Sequence, residues 1–330
     1  MERLKSKYCV AIRTLGKSGA KYQRLLDSLQ QQTIKPNKIL VYLPYGYEAP
    51  KETIGIEQII RCEKGMVAQR SLLFEEINTQ YVMFCDDDMY LAPHLAETLL
   101  KAMETYHADS ITPTCYSEMS FYRKVVAAIY NFSFPRISDN WALKVTRTAG
   151  YTYNIQPKHN ILRTQTAAGG CIFCDMDALH AIHFADERWL DKFMFAALDD
   201  QLFHYKLHVN GYKSFMYYSS DVVHLDAKSA TRPDVTKKIY YKWKSFYVVW
   251  YRSVYMLKKN SKLDKFLIAS CFTFRMFIAF LTVFVDIVRH KKLNFLTDFF
   301  KAIRDAKRYV KSEEYLKIPP YDAYIKEKKL

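Results

Sequence analysis

Residues 81–90, Tyr-Val-Met-Phe-Cys-Asp-Asp-Asp-Met-Tyr, decide how the rest of the chain is read. An apolar run from Tyr81 to Cys85 stops at three consecutive carboxylates, Asp86, Asp87 and Asp88. The run is short, carries aromatic and β-favouring residues, and follows an amphipathic stretch, so it predicts a buried central strand. Three adjacent acids at the end of such a strand repel one another and lose solvation. Their charge requires compensation, and a hard divalent cation with oxygen ligands supplies it. In open α/β sheets ligands bind where strands reach their carboxyl ends, which is where these acids fall. The competing reading is a plain solvated acidic turn.

On the amino-terminal side, residues 8–14 and 38–43 read as strands separated by a helix over 19–31. A short strand is expected near 56–61 and a helix from about 66 to 77. On the carboxyl side, Pro93 opens a helix to about 106, and 109–114 reads as a further strand. This alternation implies βαβ units and a mixed, mostly parallel sheet flanked by helices. Residues 119–134 are aromatic and apolar, and 135–165 are polar with little periodicity. Order returns with a strand over Cys171–Cys174, helices over 177–184 and 191–208, and strands over 214–225 that end at His224.

The formal net charge is +15, and its placement is informative. Residues 237–330 hold 22 Lys and Arg against 8 Asp and Glu, whereas 1–236 hold 27 against 26. The excess positive charge therefore belongs to a carboxyl-terminal appendage suited to a polyanion. Residues 266–288 are apolar and long enough to span a bilayer, but Arg275 lies mid-segment and Asp286 near its end. A central charge costs at least a few kcal/mol in a bilayer. Basic residues flank both ends, so an in-plane helix held by apolar burial and anionic lipid is expected, with a single span at 266–288 or a buried helix packed on the catalytic domain left open. Seven cysteines, an odd count without a disulfide framework or secretory signal, predict a reducing cytosol. Cys171 and Cys174 have C-x-x-C spacing but lack the second pair or histidines of a zinc site.

Four patches are expected to converge on the acidic strand end. Gly65 opens a predicted helix with Arg70 about one turn inside, an arrangement that favours phosphate. Gly169-Gly170 lets a substrate approach the backbone closely. Asp199-Asp200 interrupts an apolar helical run, and a carboxylate there could take a proton from a hydroxyl nucleophile or simply cap the helix. His224 ends an apolar strand and offers an imidazole to a metal.

The order of these patches resembles the family 2 glycosyltransferases of GT-A fold. The resemblance spans roughly residues 8–226. It implies a Rossmann-like GT-A domain over 1–236, with a nucleotide-sugar half at about 1–115 and an acceptor half at about 116–236. Residues 237–330 then form a basic, aromatic, membrane-associating helical tail. By this similarity Asp86-Asp87-Asp88 is the D-x-D motif, with Asp88 a direct metal ligand and Asp86 on the ribose or the metal. Arg70, Asp86 and Asp87 would bind the donor, and Gly169, Gly170 and Asp199 the acceptor. Asp200 would be the general base, and His224 would complete the metal and diphosphate site.

Two departures bear on the donor. Leu43-Pro44-Tyr45-Gly46 stands where the family carries base-binding acids, and the first strand ends Arg13-Thr14-Leu15. The resemblance therefore does not name the nucleobase. It implies a metal-dependent (Mg²⁺ or Mn²⁺) inverting transfer from a nucleotide-diphosphate sugar to a glycan or lipid-linked glycan. Such an enzyme belongs to cell-surface polysaccharide synthesis at the cytoplasmic face of the membrane. The rivals are a sugar nucleotidyltransferase, for which Leu15-Gly16-Lys17-Ser18-Gly19 is a faint echo of the required loop, and a non-enzymatic membrane or nucleic-acid binder. Lys and Arg mixed with Tyr and Trp at 240–259 could bind single strands. That second rival gives the acidic and glycine pairs no role, so no nucleic-acid partner is expected.

Overall fold

A computed structural model describes residues 7–115, 120–134, 136–193, 198–226 and 235–326. Four strands, β1 (Tyr8–Arg13), β2 (Ile39–Pro44), β3 (Glu57–Cys62) and β4 (Tyr81–Asp86), run parallel in the order β3-β2-β1-β4. A three-residue strand, β5 (Met89–Leu91), follows the acids; β6 (Ser110–Pro113), β7 (Leu143–Val145), β8 (Tyr151–Tyr153), β9 (Ile161–Thr164) and β10 (Cys171–Asp175) come next. The last two are β11 (Ser214–Tyr217) and β12 (Val222–His224). The main sheet continues from β4 through β10, β6, β11 and β9, with β10 and β9 antiparallel to their neighbours. The sheet is mixed, with its first four strands parallel, as the alternating pattern predicts.

The two faces of β4 feed two different cores. Met83 and Cys85 point, with Val10 and Ile12 of β1, toward α1 (Ala20–Gln30) and α2 (Leu95–Tyr106), where Leu25, Leu29, Leu99 and Met103 are buried. Val82 and Phe84 point the other way, into a larger core with Trp189, Leu202 and Phe203. The period-2 alternation of a strand explains how a continuous apolar run serves both layers.

Three shorter helices lie between the strands: α3 (Phe121–Tyr130), α4 (Met176–Ala181) and α5 (Asp199–Val209). The carboxyl-terminal region forms α6 (Val235–Trp250, prolonged by a π-turn Tyr251–Tyr255), α7 (Lys262–His290), α8 (Asn294–Tyr309) and a final turn α9 (Glu313–Leu316). Trp243, Phe246, Val249, Trp250, Phe272 and Phe299 join the same core as Val82 and Phe84. The Trp250 ring lies stacked on Phe272 at 3.8 Å. The basic, aromatic stretch thus covers one face of the sheet.

Two expected helices differ. Residues 66–77 hold only a 3₁₀ turn at Ala68–Arg70. The Asp191 carboxylate accepts the amides of Val67 (3.1 Å) and Ala68 (2.9 Å), and Phe74 sits at φ 52°, which ends any helical path. The helix expected over 191–208 begins at Asp199 and is preceded by a 3₁₀ stretch, Phe184–Phe193; residues 194–197 lie outside the described residues.

Candidate active site

Strand register brings the first charges together. Arg13 ends β1 directly beside Asp86 at the end of β4, and its Nη2 donates to Asp86 Oδ1 at 2.6 Å. Arg13 Nη1 reaches Asp199 Oδ2 at 3.3 Å. Arg70 Nη1 lies 3.0 Å from the same Asp199 oxygen and pairs closely with Asp200 Oδ1. Asp200 Oδ2 accepts the Gly169 amide at 2.8 Å. The result is an alternating ladder, Asp86, Arg13, Asp199, Arg70, Asp200, in which each cation is shared by two acids.

The ladder sets the two aspartates of α5 apart. Asp199 is 1% exposed. Burial and the neighbouring Asp200 charge push its pKa up to about 7, against the pull of Arg70 and Arg13. Burial also acts on Asp200, but Arg70 and Arg13 outweigh it and hold this carboxyl below its ordinary value. Asp200 is therefore the ionised member at neutral pH. Its side chain is 28% accessible and lines a cavity of about 440 Å³ with Thr114, Tyr153, Asn154, Ala168 and Gln201.

Several residues sit otherwise than the sequence led us to expect. Arg70, expected on phosphate, is fully buried between the two acids. Asp199, expected against the acceptor, is enclosed by the two guanidinium groups and does not line the cavity. Gly169 is needed for a different closeness: a Cβ there would overlap the Asp200 carboxylate. Gly170 packs on Met89 and Cys115, and its carbonyl accepts the Asp86 amide at 2.9 Å. Asp87 is buried and accepts from Thr14 Oγ1, and burial pushes its pKa up to about 6.

The third acid faces a different partner. A two-stranded ribbon pairs β12 with β5, placing His224 opposite Met89. The Leu225 amide donates to the Asp88 carbonyl at 2.8 Å. His224 Nε2 then lies 3.4 Å from Asp88 Oδ1. Ligand atoms about 3 Å apart suit neighbouring positions around one small hard cation with bonds of about 2.1 Å. Asp88 and His224 thus fit a divalent metal as two protein ligands. Asp86, also expected on the metal, is paired with Arg13 instead. Among the described residues no three His, Cys, Asp or Glu side chains form a metal cage, so other ligands would come from substrate or water.

Residues 52–157 match the family model described as Glycosyl transferase family 2. The match covers about a third of the chain and makes that stretch similar to family 2 glycosyltransferases. Its overall fold is similar to that of S. aureus TarS, with a TM-score of 0.54 at 15% identity, over 94% of this chain and 50% of that one. The 1–349 portion of TarS gives a TM-score of 0.52 at 16% identity, over 92% and 81% of the two chains. This chain thus spans half the length of full TarS and shares its fold. A search of curated protein sequences returns no match. The expectation of a GT-A glycosyltransferase holds.

Sequence reading missed Arg13 and Asp191. Arg13 stands out only as a charged residue closing a wholly apolar strand, and Asp191 gave no signal because its role is to receive backbone amides 124 residues away.

Proposed function

We propose that this glycosyltransferase moves a sugar, with inversion, from a nucleotide-diphosphate sugar to a hydroxyl of a glycan or lipid-linked glycan in cell-surface polysaccharide synthesis. The observation that carries the reading is the clamp on Asp200. One ionised carboxylate, fixed by Arg70 and the Gly169 amide, faces a cavity large enough for a sugar acceptor. Asp200 takes the proton from the acceptor hydroxyl as that oxygen bonds to the anomeric carbon. The bond from that carbon to the diphosphate breaks, and the nucleoside diphosphate leaves with the electron pair. Asp199, Arg70 and Arg13 hold the base in place, and Asp86, 29% accessible at its side chain, would contact the donor ribose. Asp88 and His224 would hold a divalent cation, whose charge offsets that gathering on the diphosphate.

A panel of nucleotide sugars with Mg²⁺ or Mn²⁺, read by nucleoside diphosphate release, tests the donor and the metal together. One donor is expected to be turned over, EDTA is expected to stop the reaction, and Asp88→Asn is expected to lower kcat/KM by about 100-fold. Full turnover in EDTA removes the metal from the mechanism.

We assign residues 1–236 to catalysis and 237–330 to membrane association at the cytoplasmic face. By length and composition Lys262–Arg289 could cross a membrane. Its buried stripe, Ile268, Phe272, Arg275, Ala279, Val283 and Ile287, repeats at helical spacing and packs on the protein. The opposite stripe, Phe266, Phe277, Leu281, Phe284 and Val288, is exposed and equally apolar. Phe121, Tyr122, Val126 and Ile129 of α3 are exposed too, and Phe132 just after α3 meets Phe274 at 4.9 Å, joining the two helices into one apolar face. Lys262, Lys265, Arg289, Lys291 and Lys292 flank it. An anionic bilayer is the occupant that suits both features, with α7 lying in the interface. Replacing Phe121, Ile129, Phe277 and Phe284 by Ser is expected to cut flotation with phosphatidylglycerol vesicles by at least ten-fold, since each buried Phe contributes about 1.5–3 kcal/mol. Unchanged flotation refutes the docking face.

A further inference from the structure

The buried stripe of α7 contains one charge that no carboxylate among the described residues balances. Arg275 is 8% exposed. Its guanidinium lies 4.4 Å from the Phe246 ring centre and 4.7 Å from that of Tyr130, and Nη1 reaches Thr148 Oγ1 at 3.4 Å. Among the described residues its Nε has no hydrogen-bond partner and no carboxylate acts on the group. Burial lowers its pKa to about 10, which leaves it charged at neutral pH. An uncompensated buried cation is costly, and an anion that completes it recovers the cost.

The surroundings of Arg275 form a site. A second cavity of about 320 Å³ is lined by Asn131, Gly150, Tyr151, Gln201, Lys242 and Arg275. Asn131 Oδ1 is also buried and unpartnered, and its Nδ2 donates to the Tyr151 carbonyl at 3.0 Å, which fixes the amide orientation. Gly150 is bare where Arg275 approaches; a Cβ there would collide with both Asn131 and Arg275 Nη1. Lys242, accessible at the cavity wall on α6, is lowered in pKa by desolvation and then by Arg275, while Asp286 acts weakly the other way. Two cationic side chains thus line one space. Tyr151, Tyr153, Leu198 and Gln201 form walls of both this cavity and the one that holds Asp200.

We propose that the second cavity is a phosphate subsite of the acceptor: Arg275 and Lys242 bind a phosphate monoester or diester carried by the acceptor, while its reacting hydroxyl lies at Asp200 next door. The guanidinium fork and the ammonium point charge are the side chains suited to phosphate oxygens. The acceptor is then an anionic, phosphate-bearing glycan or glycolipid rather than a neutral sugar. The inference rests on Asp200 marking the acceptor site. A bilayer phospholipid headgroup has the same chemistry, and the apolar outer face of α7 makes it the competing source.

The full chain is titrated calorimetrically with glycerol 3-phosphate, with glycerol as the neutral control, and separately with phosphatidylglycerol vesicles. Glycerol 3-phosphate is expected to bind and glycerol not to. Lys242→Gln and Arg275→Gln are each expected to weaken binding at least ten-fold, while Asp88→Asn at the donor end leaves it unchanged. Arg275 is packed in the core, so the accessible Lys242 carries the test if Arg275→Gln melts early. Binding that survives Lys242→Gln, or that is lost in Asp88→Asn, overturns the subsite. Dependence on Lys242 with vesicles but no binding of glycerol 3-phosphate assigns the cavity to the bilayer and overturns the acceptor claim. The titration needs no turnover, so it stands or falls separately from the assignment of Asp200 as base.

Discussion

Replacing Asp200 by Asn is expected to lower sugar transfer by about three orders of magnitude while donor affinity stays within two-fold. Loss of a positioned general base costs about 10²–10⁴ in rate. Asn preserves the shape and one acceptor oxygen, so the Arg70 and Gly169 contacts are only partly lost. The proposed donor end at Asp86, Asp88 and His224 is not touched by the change. Asp199→Asn supplies the contrast. Burial and the Asp200 charge push the Asp199 carboxyl up, and it does not line the cavity, so a neutral replacement is a smaller change there than at Asp200. Its effect is expected to stay within about ten-fold, through looser placement of Arg70 and Arg13. Initial rates at saturating donor, with donor affinity measured separately, decide the matter. Near-normal turnover in Asp200→Asn together with collapse in Asp199→Asn exchanges the two roles.

That contrast also marks how far the sequence could be read. Both acids were visible as a pair interrupting an apolar run, and the strand end at Asp86 was visible because buried strands have a compositional signature. Which acid is ionised was not visible. It depends on Arg13 and Arg70, which lie 186 and 129 positions from Asp199 and meet it only because β1, the 3₁₀ turn and α5 converge. The same limit explains Arg70 itself. A helix with a phosphate-facing arginine was expected, but the Asp191 carboxylate occupies the amides that a phosphate would have taken. Long-range charge partners leave little local trace, whereas alternation and strand ends do. Arg275 is the sharpest case: mid-segment charge argued against a simple membrane span, yet only the packed structure shows that this residue faces the protein interior.

The second large effect concerns what holds the carboxyl-terminal helices on the sheet. Glu187 is fully buried. Its two oxygens accept Arg252 Nε at 2.7 Å and Nη2 at 2.9 Å, Lys206 Nζ at 3.0 Å and Trp189 Nε1 at 2.9 Å. Arg252 comes from the π-turn after α6, and Lys206 from α5, the helix that carries Asp199 and Asp200. One carboxylate therefore ties the basic tail to the catalytic helix. Burial alone would raise its pKa, but Arg252 and then Lys206 bring it down to about 2 from an ordinary 4.5, a difference worth about 3 kcal/mol. Glu187→Gln keeps the volume but leaves two buried cations short of a partner, for which a cost of about 3–5 kcal/mol is usual. At pH 7 the variant is expected to melt roughly 5–15 °C lower than the parent chain. A depressed acid stabilises the fold fully above its unfolded pKa and loses that contribution as pH falls through the folded value. The gap between the parent and Glu187→Gln should therefore be constant above pH 5 and close between about 4.5 and 2. Thermal melts across that range, followed by tryptophan fluorescence, measure it directly. A gap below 1 kcal/mol at pH 7, or one unchanged at pH 3, would mean that apolar packing around Trp250 and Phe272 holds the tail without this charge cluster.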